Sequence, residues 1–473
     1  MKKLLTLCGL FCLLLIEAQN YPKHNIDLLG HIAPNDDTLE DPKANRYSGC
    51  WGWYQASKNK EYAIAGTSNG TYFIDVTNPT APVVCDFVPG RRKGTWREMK
   101  TYQNYCYITS DDAQPNKFTI VDMQYLPDSV HIVHYGNKYF ERGHTIWIDQ
   151  DKMYIGATTY SSGSSCMTVW SLATPTNPVL LRRAEQDIPP PVFSYVHDMF
   201  VRNDTIYAST GWQGLHVLKL EANNTLTHLG SYSGYPDAGY NHSSSLTDNG
   251  KFLVFCDEVP GGIPIKMVDV QNPGNIQPVN SFKPNPLTTP HNPYIIGNKW
   301  AVVSCYLDGL YIYDISNPPL VSEAGYFDTY PQSGGTSGNY EGGPYNGNWG
   351  AYPWLPSGNI IACDMRNGVF ILNPTAAYTS TVLNPVGLTA NIPENAALIT
   401  YPGPADTKLA IHFAASGENK IQLMDVNGKL ILEEKRLDAI AETLDVSSFP
   451  AGHYIIRVTN GNVVKEKKIT IRH

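Results

Sequence analysis

The chain is short of charge. Asp, Glu, Lys and Arg make up only 16% of its 473 residues, against roughly 25% in an average soluble domain. What charge there is leans negative, with 35 basic and 43 acidic side chains. That balance excludes a polybasic nucleic-acid binder, which needs a net positive face. A coiled coil and a disordered acidic chain are excluded too, because both carry far more charge. Long apolar runs are also scarce. The run at residues 4–16 spans only 13 positions, too few at about 1.5 Å per residue to cross a hydrocarbon core of about 30 Å. Cysteine is sparse and dispersed. Of nine cysteines, Cys8 and Cys12 fall in that first run, leaving an odd set: Cys50, Cys85, Cys106, Cys166, Cys256, Cys305 and Cys363. No two are spaced as a CxxC pair, which argues against a cysteine-based zinc site. Cys106, Cys305 and Cys363 lie inside apolar strand patterns and read as small core residues, with a disulfide left open. A nucleophile elbow, a P-loop and an HExxH helix are all missing.

What the sequence has instead is Gly (39), Pro (34) and Tyr (30), the turn-rich, aromatic composition of an all-β chain. Residues 1–19 read as a secretory signal peptide. Lys2 and Lys3 supply the charged end, residues 4–16 the apolar stretch, and Glu17-Ala18-Gln19 a cleavage region. Leu7 and Phe11 stand where lipoprotein processing needs a small residue, so no acyl anchor is expected.

From residue 50 to 378 a unit of about 45–60 residues recurs, four short strands at a time, as propeller blades do. The third strands are the plainest, at Tyr72–Asp75 running into Asn78-Pro79, Lys266–Asp269 into Asn272-Pro273, and Tyr311–Asp314 into Asn317-Pro318. Counting gives seven units. The seventh lacks a fourth strand of its own, and residues 26–32 resemble the fourth strands elsewhere. The expected fold is therefore all-β: a seven-bladed β-propeller closed by an N-terminal strand, followed by a small C-terminal β-sandwich.

One register repeats across the units. His144, His197 and His291 each stand nine residues before the second strand of their unit, Trp96 has the same offset, and His242 stands ten before Phe252. Units one and seven align through Trp51 and Trp349. First strands are innermost in a propeller, so Trp51, Trp96, His144, His197, His242, His291 and Trp349 are expected to ring one channel mouth as candidate ligand-binding residues. Asp111, Asp257, Glu258 and Asp308 fall in turns expected on the same face. Imidazole is a frequent metal ligand, so His144, His197, His242 and His291 are also a candidate metal set. A divalent metal is compatible with that ring but not required by it. The same repetition would arise if each blade needed one structural hydrogen bond, and that explanation carries more weight. Two long connections, residues 187–195 and 329–348, add Tyr330, Tyr340 and Tyr345 to the face and suit stacking on sugar rings.

The residues Cys50 to Tyr54, Tyr62 to Gly66, Gly70 to Pro79, Thr95 to Lys100 and Tyr195 to Asp198 resemble the choice-of-anchor B family, secreted proteins built on LVIVD-type propeller repeats. The resemblance covers most of residues 25–378 and implies a fold, with no generally assigned chemistry. Glu98 departs from it, since Asp commonly follows the Trp-Arg pair. A second resemblance lies in the last 75 or so residues: Tyr401-Pro402-Gly403-Pro404, Asp425-Val426-Asn427-Gly428, Leu444 to Tyr454 and Lys467 to Ile471 are similar to a type IX secretion C-terminal sorting domain. That implies routing through the periplasm of a Gram-negative, Bacteroidetes-like cell to its outer surface or beyond, with the secretion machinery as partner.

The expected layout is a signal peptide at 1–19, the propeller at 20–378, a linker at 379–397 and the sorting domain at 398–473. Function reads as a secreted or surface binding module, its ligand unassigned, with carbohydrate or surface polymer, or a surface protein, as the ligand class. The alternative is a metal-dependent hydrolase or lyase using the histidine ring, and the balance leans away from catalysis. No nucleic-acid partner is expected.

Overall fold

The structure, a computed structural model, describes residues 20–34, 45–90, 94, 96–111, 117–340, 345–380, 384–385, 399–401, 408–412, 418–437, 441–460 and 463–472. The signal-peptide assignment and most of the linker lie outside the described residues. Among those described, no helix is long and apolar enough to cross a membrane.

Residues 23–373 fold into a β-propeller. Seven antiparallel sheets succeed one another along the chain, six of them four-stranded and one widened to six strands. Within five of the sheets the strands lie in chain order, so the first and fourth form opposite edges; the sixth and seventh add strands from elsewhere in the chain at the outer edge. Burial shows which edge is inside. The first strand Asn241–Leu246 is buried at every position, whereas the fourth strand Gln277–Phe282 of the same sheet is largely half-buried or exposed. First strands of successive sheets touch in a closed circle, with Asn348–Tyr352 returning to Tyr47–Gln55.

The N-terminal segment completes the circle. Asp27–Ile32 pairs antiparallel with Gly368–Asn373 and supplies the outer strand that the last sheet lacks. The preceding Lys23–His24 and the later Asn384–Pro385 both pair with Ser322–Phe327, widening the sixth sheet. Packing between sheets is apolar, for example Val254, Met267, Ile295, Val303 and Tyr313 in one inter-sheet cluster.

Two repeated devices explain the sequence pattern. The Asp closing each plain third strand makes an Asx turn: Asp75, Asp122, Asp269 and Asp314 each accept from the backbone N–H two residues on, at 2.9 Å. This is what ends the strand and aims the Asn-Pro corner. The second device is a β-bulge in every fourth strand, which skips Leu29, Cys85, Val133, Leu181, Leu229, Val279 and Ala324 in turn. A bulge adds local twist, and here it presses the outer strand toward the next sheet. At Gly30 and Gly230, just after the bulge, an added Cβ would lie 2.1 Å from the Pro79 carbonyl oxygen and 1.9 Å from that of Pro273. Glycine there lets one blade's outer strand seat on the next blade's Asn-Pro corner.

The tail forms two sheets, of three and four strands. They share one core in which Leu409, Ile411 and Leu444 of the first face Leu423, Ile456 and Ile469 of the second. That is the expected small sandwich.

Gly30→Ala is therefore expected to destabilise the propeller by about 1–3 kcal/mol through backbone overpacking. Gly136→Ala, where the nearest atom is 3.5 Å away, should leave the melting temperature unchanged. Thermal denaturation of the two variants beside the parent chain checks the pair.

Candidate functional site

The opening residues of the inner strands meet at a central cavity of about 300 Å³. Trp51, Trp96, His144, His197, His242, His291 and Trp349 all line it. The structure thus brings together every residue of the expected ring, though on two levels. Trp51 lies deeper than the others, paired with Ile64 in mid-strand, because Ser48 holds the register position of His242 and Trp349 and Trp51 stands three residues further along the strand. There it packs edge-on against Tyr352 at 4.9 Å and Trp147 at 6.3 Å. Lys100 Nζ stands 4.2 Å over the Trp51 ring and pairs with Glu98. These groups floor the cavity. Asp198 joins them in the wall, its carboxyl pushed up to about 7 by burial while Lys100 pulls the other way.

A hydrogen-bond latch runs around the mouth from the second blade to the seventh. Thr109 donates to the Gly143 carbonyl at 2.9 Å, Thr145 to that of His197 at 2.7 Å, and His197 Nδ1 to that of His242 at 3.1 Å. Ser243 then bonds the His291 carbonyl, and His291 Nδ1 that of Trp349 at 2.5 Å. This is the structural role that repetition suggested. It occupies Nδ1 of His197 and His291 and leaves their Nε2 atoms facing inward.

The histidines divide into two halves with different chemistry. In the first half, Asp111 bonds His144 Nδ1, and the Nε2 atoms of His144 and His197 lie 2.8 Å apart. Because His197 donates through Nδ1, its Nε2 must accept. His144 then donates from both nitrogens and is an imidazolium. Burial opposes that charge, but the hydrogen bond and charge of Asp111 outweigh it and raise the His144 pKa. Burial and then the His144 charge hold His197 well below its ordinary value.

The second half is organised by Glu258. His242 Nε2 lies 3.9 Å from Glu258 Oε2 and His291 Nε2 lies 4.0 Å from Glu258 Oε1. Burial lowers both imidazoles, His291 to about 3, so both are neutral. Tyr306 donates its hydroxyl to Glu258 Oε1 at 2.7 Å and packs at a tilt of 42° on His291, 4.4 Å between ring centres. Its backbone has φ of +42°, a left-handed conformation that a bulky residue holds only at a cost. Burial raises the Glu258 pKa.

The other acidic turns go elsewhere. Asp257 is buried against Lys266 at 2.9 Å. Asp308 accepts from Asn285, Gly335 N–H and Tyr340, so it anchors the 329–348 connection. Within that connection Tyr330 is buried, Tyr340 is tied to Asp308, and Tyr345 lines the cavity. Sequence reasoning missed Trp147, Lys100 and Tyr306. Lys100 and Trp147 stand in the middle of their first strands, Arg97–Tyr102 and Ile146–Asp149, and that position could have flagged them as channel-facing.

Two segments match known families. Residues 400–472 match the secretion system C-terminal sorting domain, and residues 298–329 match the LVIVD repeat, which spans the second, third and fourth strands of the sixth blade. No curated protein matches the chain. Among solved structures, a candidate 6-phosphogluconolactonase of Bacteroides uniformis is 11% identical, with TM-score 0.48, over 72% of this chain and 95% of its own. PorZ, a surface component of the type IX secretion system of Porphyromonas gingivalis, is 10% identical, with TM-score 0.37, over 87% and 64% respectively. The N-terminal domain of Nup159 is 10% identical, with TM-score 0.44, over 74% and 95%. No argument rests on likenesses this distant. The sorting domain does establish the route: the chain is cargo of type IX secretion, exported to the cell surface or the extracellular space.

The 329–348 connection carries a pH dependence. Asp328 is buried at its base, and burial pushes its carboxyl up to about 6, with Asp308 and Asp364 adding to the rise. The unfolded carboxyl titrates near 4. Its ionisation therefore costs the fold stability as pH rises from about 4 through 6, with the full loss above that. Asp328→Asn should match the parent's melting temperature at about pH 4 and exceed it by a few degrees at about pH 8, measured by calorimetry at both.

Proposed function

We propose that the propeller is a binding module, exported to the cell surface, that takes a carbohydrate or surface polymer at the mouth of its central cavity. The observation that carries this reading is Trp96, which keeps 37% of its surface exposed at the mouth and lies 5.0 Å from Trp349. Exposing an indole to water is unfavourable, and a pair of them beside fixed polar groups suits the apolar face of a sugar ring. Trp212, 68% exposed, sits edge-on to Tyr240 at 5.5 Å, and Tyr240 reaches His197 at 5.3 Å. Together they extend an aromatic face outward from the mouth. Asn292 and His242 supply hydrogen-bonding groups inside it. The four-histidine hydrolase or lyase finds less support, since the His144–His197 half is closed in its own hydrogen bonds.

We also infer the division of labour along the chain: residues 20–378 bind, 398–473 address the export machinery, and 379–397 join them. Removing residues 379–473 should leave the folded propeller in the periplasm, as cell fractionation would show.

Ligand binding is tested by screening the mature chain against bacterial surface polysaccharides, then titrating the strongest by calorimetry. Trp96→Ala should weaken that affinity by about tenfold or more, a loss of about 1.4 kcal/mol or more, without changing the melting temperature. A chain that binds no saccharide, or a variant that binds as tightly as the parent, would overturn the reading.

A further inference from the structure

The second half of the histidine ring has the make-up of a metal site. His242, Glu258 and His291 bring two imidazole nitrogens and a carboxylate oxygen within 4.8 Å of one another. Two of the three come from opening residues of adjacent blades and the third from a second-strand end, so the set is held by three rigid sheet positions. His291 is 1% exposed, and its Nε2 has no hydrogen-bond partner among the described residues. A buried nitrogen lone pair left unpaired is unfavourable by about 1–3 kcal/mol, and here it points at Glu258 and the cavity. His291 Nδ1 is fixed on the Trp349 carbonyl, the outer contact that metal-binding histidines ordinarily make. Glu258 has the same kind of support from the Tyr306 hydroxyl.

We propose that His242 Nε2, His291 Nε2 and a Glu258 oxygen bind one divalent transition ion of the zinc class, with a fourth position open to the cavity. Two imidazoles and a carboxylate suit such an ion better than magnesium or calcium, which prefer all-oxygen sites. The separations of 3.9 and 4.0 Å exceed the ~3.3 Å between ligand atoms in a tetrahedral zinc site with bonds of 2.0–2.1 Å. Since the three atoms lie within 4.8 Å of one another, binding needs the two imidazoles and the Glu258 side chain to close by up to about 1.5 Å. His144 and His197 are not ligands, because each Nε2 is taken up by the other.

This assignment concerns an ion and is independent of the organic ligand, so either can fail alone. The test strips the mature chain with chelator, then titrates zinc by calorimetry and cobalt(II) by visible absorption. One ion per chain is expected, with a cobalt spectrum of tetrahedral or five-coordinate type. Glu258→Gln and His242→Gln should each weaken zinc by about 10–100-fold and change that spectrum, while His144→Gln leaves both intact. Circular dichroism confirms that each variant is folded, and Glu258→Gln stands in if His242→Gln fails to fold. The proposal is overturned if the parent binds no zinc at micromolar concentration, or if binding survives Glu258→Gln and His242→Gln together. Survival would locate the metal elsewhere, for instance at His216 and His228, whose ring nitrogens lie 3.0 Å apart.

Discussion

Everything at the cavity depends on a strand pairing on the far side of a sheet. The last sheet is completed only when Asp27–Ile32 lies along Gly368–Asn373, joining chain positions more than 300 residues apart. Without that pairing the seventh sheet would expose an edge, which is both unsatisfied and prone to template aggregation. With it, the inner strands are forced into a closed circle, and seven opening residues from distant parts of the sequence meet. The closing segment is held beyond its own strand. Tyr21 packs against Phe327 and Phe370, and the Asn25 side chain donates to the Ala324 carbonyl at 2.9 Å. The N-terminal strand is thus stapled to the sixth sheet as well as the seventh, which offsets the entropy of closing so long a loop.

A circle of sheets has no core at its centre, so stability must come from the interfaces between neighbours. Each blade contributes an apolar cluster to its neighbour, and each outer strand seats its bulge beside the neighbouring Asn-Pro corner. The same logic explains the latch at the mouth. A backbone carbonyl at the start of each inner strand faces a shrinking, poorly solvated space and must find a donor. Thr109, Thr145, Ser243, His197 and His291 meet that need from the preceding blade. Most of the order at the mouth is therefore structural, and any binding capacity is what remains once the latch is made.

How much of this was legible depended on whether a feature repeats. The Asp-x-x-Asn-Pro corners, the four-strand period and the opening histidines recur, so one sequence compared with itself reveals the blades, the closure and the ring. The bulges recur too, but at Leu29, Cys85, Val133, Leu181, Leu229, Val279 and Ala324, apolar residues that nothing sets apart from other apolar strand positions. A bulge is a matter of backbone pairing, and only register exposes it. Trp51 was placed at the mouth because Trp51-Gly52 aligns with Trp349-Gly350. Strand pairing instead matches Trp51 to Tyr352, three residues past Trp349, and this puts it on the floor. Lys100, Trp147 and Tyr306 occur once each and had no repeat to announce them.

Symmetry also explains why the four histidines cannot be equivalent. Each inherits the same position from the repeat, so the imidazole itself does not decide its role. The residue at the end of the second strand does. Asp111, after the second sheet's strand, reaches the next blade's His144 and charges it. Glu258, after the fifth sheet's strand, reaches the next blade's His291 but shares its oxygen with Tyr306 and stays farther off. Tyr306, the counterpart in the sixth sheet, donates back to Glu258, while Asp308 two residues on holds the 329–348 connection. One strand-end position thus holds an ion-pair partner, a spaced carboxylate and the tyrosine that supports that carboxylate in three blades. A cationic imidazolium and an unpaired neutral imidazole then sit within one cavity of about 300 Å³. The half that is chemically open is the half where the turn residue stops short of a hydrogen bond, and a ligand entering the mouth meets that half beside the paired Trp96 and Trp349 rings.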